Sequence, residues 1–385
     1  MFSNLSYWER DHYFNQSNYI IIGSGIVGLN AGIRILELEP GADVLIIEQG
    51  LISSGASTKN AGFACFGSPS ELIEDLTLNP PEQVFSLFEK RYSGIHDLLK
   101  RNHSNDIDYQ KSGGYEVFDD SSLDFNQIYQ NIPFLNSEIE KRIQIPNYFQ
   151  LDNQRLKHFP LKGFTNLIAT SHEGVINPMK LINQLAILFT TLGGKILNGL
   201  YVNSIEQTEN KIKLNCIPEI TLHTSKVLIA VNGFTKHFFP NIDVIPARNQ
   251  VLAIRPERTI SLNGCFHFNK GYVYFRTING HLLIGGGRNL DIESENTISI
   301  DKNPQITNYL INFVKEHILF DQKFEITDHW SGIMGLGPIK SPIIKLVNNQ
   351  IGLAVRLGGM GVAIGTRVGI EGAEMIINST SSNLH

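Results

Sequence analysis

Residues 20–28 read I-I-I-G-S-G-I-V-G. The apolar run fits a buried parallel strand, and it leads into Gly23, Gly25 and Gly28 at the spacing G-x-G-x-x-G. The glycines open a predicted helix from Gly25 to about Leu38, with Ile26, Leu29, Ile33 and Leu36 on its buried face. Pro40-Gly41 ends that helix, and V-L-I-I-E (residues 44–48) is the next predicted strand. In such a strand–helix–strand unit Gly23 permits the tight turn, Gly25 lets the backbone approach a pyrophosphate, and Gly28 lets helix and strand pack closely. The helix N-terminus offers free N–H groups to a diphosphate. Glu48, 20 residues beyond Gly28, stands where a carboxylate accepts hydrogen bonds from an adenosine ribose and repels a 2′-phosphate, which argues against NADP. The bland alternative is a chance glycine cluster at a helix–strand contact.

The rest of the chain bounds the answer. At 385 residues, with 42% hydrophobic and 18% charged residues, it has an ordinary globular composition and length enough for two lobes. A formal net charge of −5 gives no electrostatic reason to expect a nucleic-acid partner. The three cysteines, Cys65, Cys216 and Cys265, lie far apart, which fits a reducing compartment and argues against a disulfide frame or a zinc site. The first residues lack a basic end followed by an apolar run, and no stretch approaches the ~20 apolar residues that span a bilayer. A soluble, cytoplasmic protein with no membrane insertion is the expectation.

Further along, Pro81 opens a long helix with the apolar stripe Val84, Phe88, Tyr92, Ile95 and Leu99. Residues 104–160 mix turn residues with short strands, among them G-G-Y-E-V-F (113–118). Asn177 caps a helix with Pro178 at its first position, which stops at Gly193-Gly194. Residues 244–287 read as strands and turns, a helix lies near 304–319, and the strand I-G-L-A-V-R (351–356) precedes a G-G-M-G turn and a last helix. The fold class expected is α/β: a Rossmann-type dinucleotide-binding lobe interleaved with an α+β lobe built on an antiparallel sheet. The first lobe takes residues 1–95, 165–243 and 328–385, and the second, for substrate, takes 96–164 and 244–327.

Residues 55–67, G-A-S-T-K-N-A-G-F-A-C-F-G, follow the acidic strand directly. Here the chain resembles the D-amino-acid-oxidase-like FAD oxidoreductases, the superfamily of glycine oxidase, sarcosine oxidase and γ-glutamylputrescine oxidase. Their loop G-A-S-x-R/K-N-x-G runs along the flavin. The resemblance continues in order through E-G-V-I-N-P-M-K-L (173–181), V-L-I-A-V-N-G-F-T (227–235), I-P-A-R-N-Q-V (245–251), H-L-L-I-G-G-G-R (281–288), W-S-G-I-M-G (330–335) and L-G-G-M-G-V (357–362). It implies FAD as cofactor, held by Gly23, Ser24, Gly25, Ile26, Val27, Gly28, Glu48 and Gln49. Further along it assigns Ser57, Thr58, Lys59, Asn60, Ala61 and Gly62 to the same cofactor, with Ser57 and Thr58 able to bond diphosphate oxygens. Val202, Ala230, Gly233, Gly358, Gly359, Met360, Gly361 and Val362 complete the set. No cysteine lies near Trp330-Ser331-Gly332, where the sarcosine-oxidase branch attaches its flavin, so the FAD is expected to be non-covalent.

In the family, the helix that starts here near Val362 points its N-terminus at the flavin edge where negative charge collects, and a fixed dipole stabilises such charge. Hydride acceptance from a neutral amine needs no protein base, so none is nominated. The substrate side is assigned to Tyr272, Arg356 and Lys59, with Tyr274 and Arg276 as strand neighbours of Tyr272. Tyr272 corresponds best to the tyrosine that faces substrate in the glycine-oxidase branch, while Tyr274 is placed equally well in the lobe core. Lys59 stands where arginine is commoner in that loop and is either near the flavin or solvated. His267 is read as a strand histidine and Arg248 as a structural anchor. Branches that oxidise small amino acids often carry an arginine shortly after W-x-G to hold the carboxylate; here that position falls at or near Met334. Arg356 is the replacement cation, directed to the substrate or to the flavin. The expected function is oxidation of a C–N bond in a small-molecule amine or amino acid, with oxygen or a quinone regenerating FAD. The alternatives are a 2-hydroxy-acid dehydrogenase on the same scaffold and a non-catalytic dinucleotide-binding protein.

Overall fold

Strand Ser17–Ile22 pairs in parallel with Val44–Glu48, and the helix between them runs Ile26–Leu38. The computed structural model that shows this describes residues 4–120, 125–208 and 211–379, so the outermost ends of the expected lobes lie outside the described residues. Ile20 to Ile22 and Leu45 to Ile47 are buried on both strand faces, as unbroken apolar strands of a parallel sheet must be. These strands sit inside a sheet of order Ile343–Leu346, Ile351–Val355, Ile220–Ile229, Ser17–Ile22, Val44–Glu48, Lys195–Asn198. Strands Ile212–Ile217 and Tyr201–Gln207 extend it antiparallel from Ile220–Ile229. The parallel strands end at Ile22, Glu48, Ile229 and Val355, and the loops after those ends form one rim.

A second sheet has the order Phe324–Leu336, Ile245–Pro256, His281–Gly286, Val273–Ile278, Cys265–Phe268, Gly114–Asp119, Phe164–Thr170, Gln150–Leu151. It is antiparallel except where Cys265–Phe268 runs beside Gly114–Asp119. The two-residue period of a strand sorts its side chains. Val273, Phe275, Leu282, Ile284, Leu252 and Ile254 pack with Ile306, Leu310 and Phe313 of the helix Pro304–Phe313, while Tyr274 and Arg276 lie on the opposite face. The strands Phe164–Thr170 and Phe324–Leu336 both belong to this second sheet, so its share of the chain reaches past the expected boundaries at 165 and 328.

Two helices stand where loops and short strands were expected. Ser68 caps the helix Pro69–Leu78, its hydroxyl accepting from the Glu71 N–H. Helix Phe125–Ile143 crosses the 104–160 region, with Ile128, Ile132, Leu135 and Ile139 in one buried stripe. Burial of that stripe outweighs the helix hydrogen bond that Pro133 removes. The expected long helix runs Pro81–Arg101 and packs on the C-terminal helix Gly361–Ile377. Gly94 makes that approach possible: a Cβ there would overlap the Ala363 carbonyl oxygen and lie 3.3 Å from Ile364 Cα. Among the described residues no helix is long and apolar enough to cross a membrane.

Candidate active site

The rim of the parallel sheet and the open face of the second sheet enclose a cavity of about 760 Å³. At one end its wall is the glycine turn. Gly23 holds φ +105°, and a Cβ on it would lie 2.8 Å from the Ala230 carbonyl oxygen; one on Gly25 would lie 2.7 Å from Ser57 Oγ. Beneath the turn, Gly28 packs directly against the Gly23 carbonyl, which leaves no room for a side chain. Glu48 closes this end. Its Oε2 accepts from Ser24 Oγ at 2.8 Å and Ser24 N at 3.2 Å, and its Oε1 accepts from Gly50 N at 2.9 Å. A carboxylate offers about four lone-pair sites, so capacity for a ribose hydroxyl remains.

The middle of the cavity is bounded by the loop 55–62. The Asn60 amide donates to the Ser57 carbonyl at 2.9 Å while its Oδ1 accepts from Gly62 N at 2.8 Å. The Trp330 indole donates to the Lys59 carbonyl at 3.0 Å, and Arg276 Nη1 reaches the carbonyls of Gly62, Ala61 and Ile176 at 3.1–3.3 Å. Facing the loop, Gly358 to Val362 lead into the C-terminal helix, whose start no side chain among the described residues caps. Its first N–H groups are therefore left to whatever lies in the cavity.

Beyond this point the cavity opens onto the second sheet, where Phe63, His267, Tyr272 and Tyr274 form an aromatic wall. Phe63 packs edge-on against both His267 and Tyr274. Burial pushes the His267 imidazole down to about 4, so it is neutral at working pH, and its Nε2 has no hydrogen-bond partner among the described residues. Burial also pushes the Tyr274 phenol above its ordinary value, so it stays protonated. A charged group borders the same chamber: Lys340 pairs with Glu71 at 3.1 Å and Asp75 at 2.7 Å, and Arg91 stands 3.8 Å from Glu71.

Most residues nominated from the sequence line this cavity: Gly23, Gly25, Ile26, Val27, Glu48, Gln49, Ser57, Lys59, Asn60, Ala61, Val202, Ala230, Gly233, Tyr272 and Gly358 to Val362. Five do not. Ser24 and Gly28 act from behind, through Glu48 and through close packing. Gly62, at φ +76°, gives its carbonyl to Arg276 and to the Ile176 N–H. Thr58 is turned into its own loop, its Oγ1 donating to the Ser53 carbonyl at 2.9 Å. Arg356 corrects a further expectation. It is buried at φ +64°, with Nε on the Ser341 carbonyl at 2.9 Å and Nη1 on the carbonyl and carboxylate of Asp243 at 3.1 and 2.9 Å. It is an anchor and does not line the cavity. Arg276 is likewise a clamp on the 55–62 loop, whereas Arg248 is the expected anchor, paired in a buried fork with Glu295 at 3.0 and 2.6 Å. Sequence reasoning missed Phe63, Cys65 and the Glu71–Arg91–Lys340 group. The last comes from three separate segments, one of them a helix unseen in the sequence, and carried no local signal.

The cradle fits a dinucleotide, with bare backbone at the turn, an acceptor at Glu48, and an uncapped helix end at the far side. Comparison with known proteins agrees. The solved structures it resembles include an L-proline dehydrogenase from P. horikoshii (TM-score 0.76, 17% identity, 95% of each chain). They also include glycine oxidase from Geobacillus kaustophilus (TM-score 0.75, 17% identity, 95% of this chain and 96% of that one). An L-α-glycerophosphate oxidase from Mycoplasma pneumoniae, solved with FAD bound, has a TM-score of 0.72 at 15% identity over 94% of this chain and 95% of that one. Among curated proteins, an L-2-hydroxyglutarate dehydrogenase from Indibacter alkaliphilus is 26% identical over 216 residues, 55% of this chain and about half of the relative (48%). The sequence model of the DAO family, described as FAD dependent oxidoreductase, matches residues 18–375, nearly the whole chain, and the protein therefore belongs to that family of FAD-dependent enzymes.

Proposed function

We propose that the protein oxidises a C–N bond of an amino acid or related amine, with FAD held non-covalently and reoxidised by oxygen or a quinone. The observation that carries this is the chamber beside the cofactor cradle, walled by Phe63, Tyr272, Tyr274 and neutral His267. When bound, FAD supplies the two-electron acceptor. The chain's part is to hold a small substrate against that cofactor, to keep water out with aromatic walls, and to place the uncapped start of the C-terminal helix where negative charge develops. A neutral amine gives up hydride without a base, and a wall that carries the protonated Tyr274 phenol suits that substrate. The thiols of Cys65 and Cys265 are buried and held protonated, which suits a cofactor bound without a covalent link.

One observation favours a second function, oxidation of a 2-hydroxy acid. That reaction needs an acceptor for the hydroxyl proton, and His267 lines the chamber, neutral, with Nε2 unpartnered. The partial likeness to an L-2-hydroxyglutarate dehydrogenase points the same way. The deciding experiment is anaerobic bleaching of the flavin absorbance with parallel panels of amino acids, amines and 2-hydroxy acids. Bleaching by hydroxy acids alone would refute the C–N assignment. Acid precipitation tests the attachment: flavin that stays with the pellet would show a covalent bond.

A further inference from the structure

Arg288 follows the strand His281–Gly286 across two glycines in left-handed conformations, Gly286 at φ +113° and Gly287 at φ +76°. The Gly287 N–H donates to the Tyr272 carbonyl at 2.7 Å, which folds the chain back so that Arg288 and Tyr272 line the cavity side by side. One guanidinium nitrogen, Nη2, donates to Asn296 Oδ1 at 2.6 Å. Nε is buried with no partner, and no carboxylate among the described residues pairs with this arginine. Glu295, the carboxylate whose charge acts on Arg288, is taken by Arg248 in the buried fork. The Tyr272 hydroxyl also makes no hydrogen bond to the described protein.

Apart from Lys59 and Lys236, which line the cavity with no ion pair among the described residues, the other cations there differ. Arg91 and Lys340 face Glu71, and Lys270 pairs with Glu74 at 3.1 Å. A half-buried guanidinium without a counter-charge is costly, and burial alone already weakens its hold on its proton. A carboxylate docked on the guanidinium edge that faces the cavity, with a second bond from the Tyr272 hydroxyl, would supply the missing counter-charge. We propose that Arg288, together with the Tyr272 hydroxyl, holds the substrate's carboxylate, so that the enzyme selects carboxylate-bearing substrates over simple amines. This rests on the chamber being the substrate site of the proposed oxidation. It also places the carboxylate-binding cation on the hairpin, away from Met334 and from Arg356.

The test is ligand binding to the FAD-loaded full-length protein, read from the perturbation of the flavin visible spectrum. Benzoate and its neutral isostere benzamide are titrated into wild type, Arg288→Met, Arg288→Lys and Lys59→Met. Wild type is expected to prefer benzoate, and Arg288→Met to lose roughly 10- to 100-fold in benzoate affinity with benzamide unchanged, the range for a charge-assisted hydrogen bond. Arg288→Lys should recover part of the loss. Equal binding of the two ligands by wild type overturns the proposal without recourse to any variant. So does a benzoate affinity that survives in Arg288→Met and collapses in Lys59→Met. Bleaching by 2-hydroxy acids alone would refute the C–N reading while the benzoate contrast still supports Arg288.

Discussion

Gly94→Ala should disturb the cofactor site from a distance. Gly94 lies in the long helix Pro81–Arg101, and a Cβ there would overlap the Ala363 carbonyl oxygen, with 3.1 Å to its carbon and 3.3 Å to Ile364 Cα. Those atoms are backbone in a buried helix and cannot rotate aside. Ordinary carbon contacts lie near 3.5–4.0 Å, so the helices must part by about 1 Å at this point. Overpacking of this kind costs about 1–3 kcal/mol. For a chain of this size, with unfolding entropy of roughly 2 cal/mol/K per residue, that is a fall of about 1–4 °C in melting temperature. The displaced segment starts at Gly361 and Val362, both of which line the cavity, so FAD affinity should fall as well, by roughly tenfold if about 1.4 kcal/mol of the strain is relieved in the apo form. Thermal melts with and without FAD, and FAD titration by fluorescence quenching, measure both. A variant with unchanged melting temperature and unchanged FAD affinity would refute the idea that this backbone contact places the start of the C-terminal helix.

Glu48→Ala removes the acceptor of the Ser24 and Gly50 N–H groups and the one we propose for the ribose; FAD titration should show a loss of about 1.5–3 kcal/mol, and undiminished affinity would mean that the carboxylate does not bind the adenosine. Arg356→Ala should cost about 2–3 kcal/mol of stability in denaturant melts, because the carbonyls of Ser341 and Asp243 lose their donor, while benzoate affinity stays as in wild type; a selective loss of benzoate binding would return Arg356 to the substrate side. Glu173 is buried and pushed up to about 8 from an ordinary 4.5 by burial, so the folded chain keeps a proton there that the unfolded chain releases. Its contribution is full below pH 4.5 and is lost as pH rises through about 8. Melting temperature against pH should therefore decline across that window in wild type and more gently in Glu173→Gln; parallel curves would exclude the assignment.

The strand–helix–strand unit was legible because its signals are local: apolar runs, a glycine spacing and one acid that all act within 30 residues of each other. Tyr272 and the last glycine turn, which the family resemblance singled out, line the cavity. Helix Phe125–Ile143 was not legible because Pro133 and its many polar residues speak against a helix locally, and only the tertiary burial of Ile128, Ile132, Leu135 and Ile139 decides the matter. Thr58 was misassigned for a related reason. A hydroxyl beside a phosphate-binding turn has two uses, and only the position of the Ser53 carbonyl chooses between them.

Arginines around the cavity show the same limit more sharply, since a sequence gives their charge but not where it is engaged. Arg276 holds the carbonyls of Ala61, Gly62 and Ile176, Arg356 those of Ser341 and Asp243, and Arg91 that of Phe66 at 2.9 Å. Each uses its guanidinium to fix loop backbone that borders the cofactor or substrate space, and a carbonyl in a dry wall is an acceptor that must find a donor. A cation so engaged has little left to offer a ligand. Arg288 is bound on one edge by an amide oxygen and keeps its Nε free of any partner. The distinction that matters for substrate charge is therefore made by the acceptors around each arginine: those that sit among unpaired carbonyls become structural, and the one that emerges from Gly286-Gly287 beside a free tyrosine hydroxyl remains available for a carboxylate.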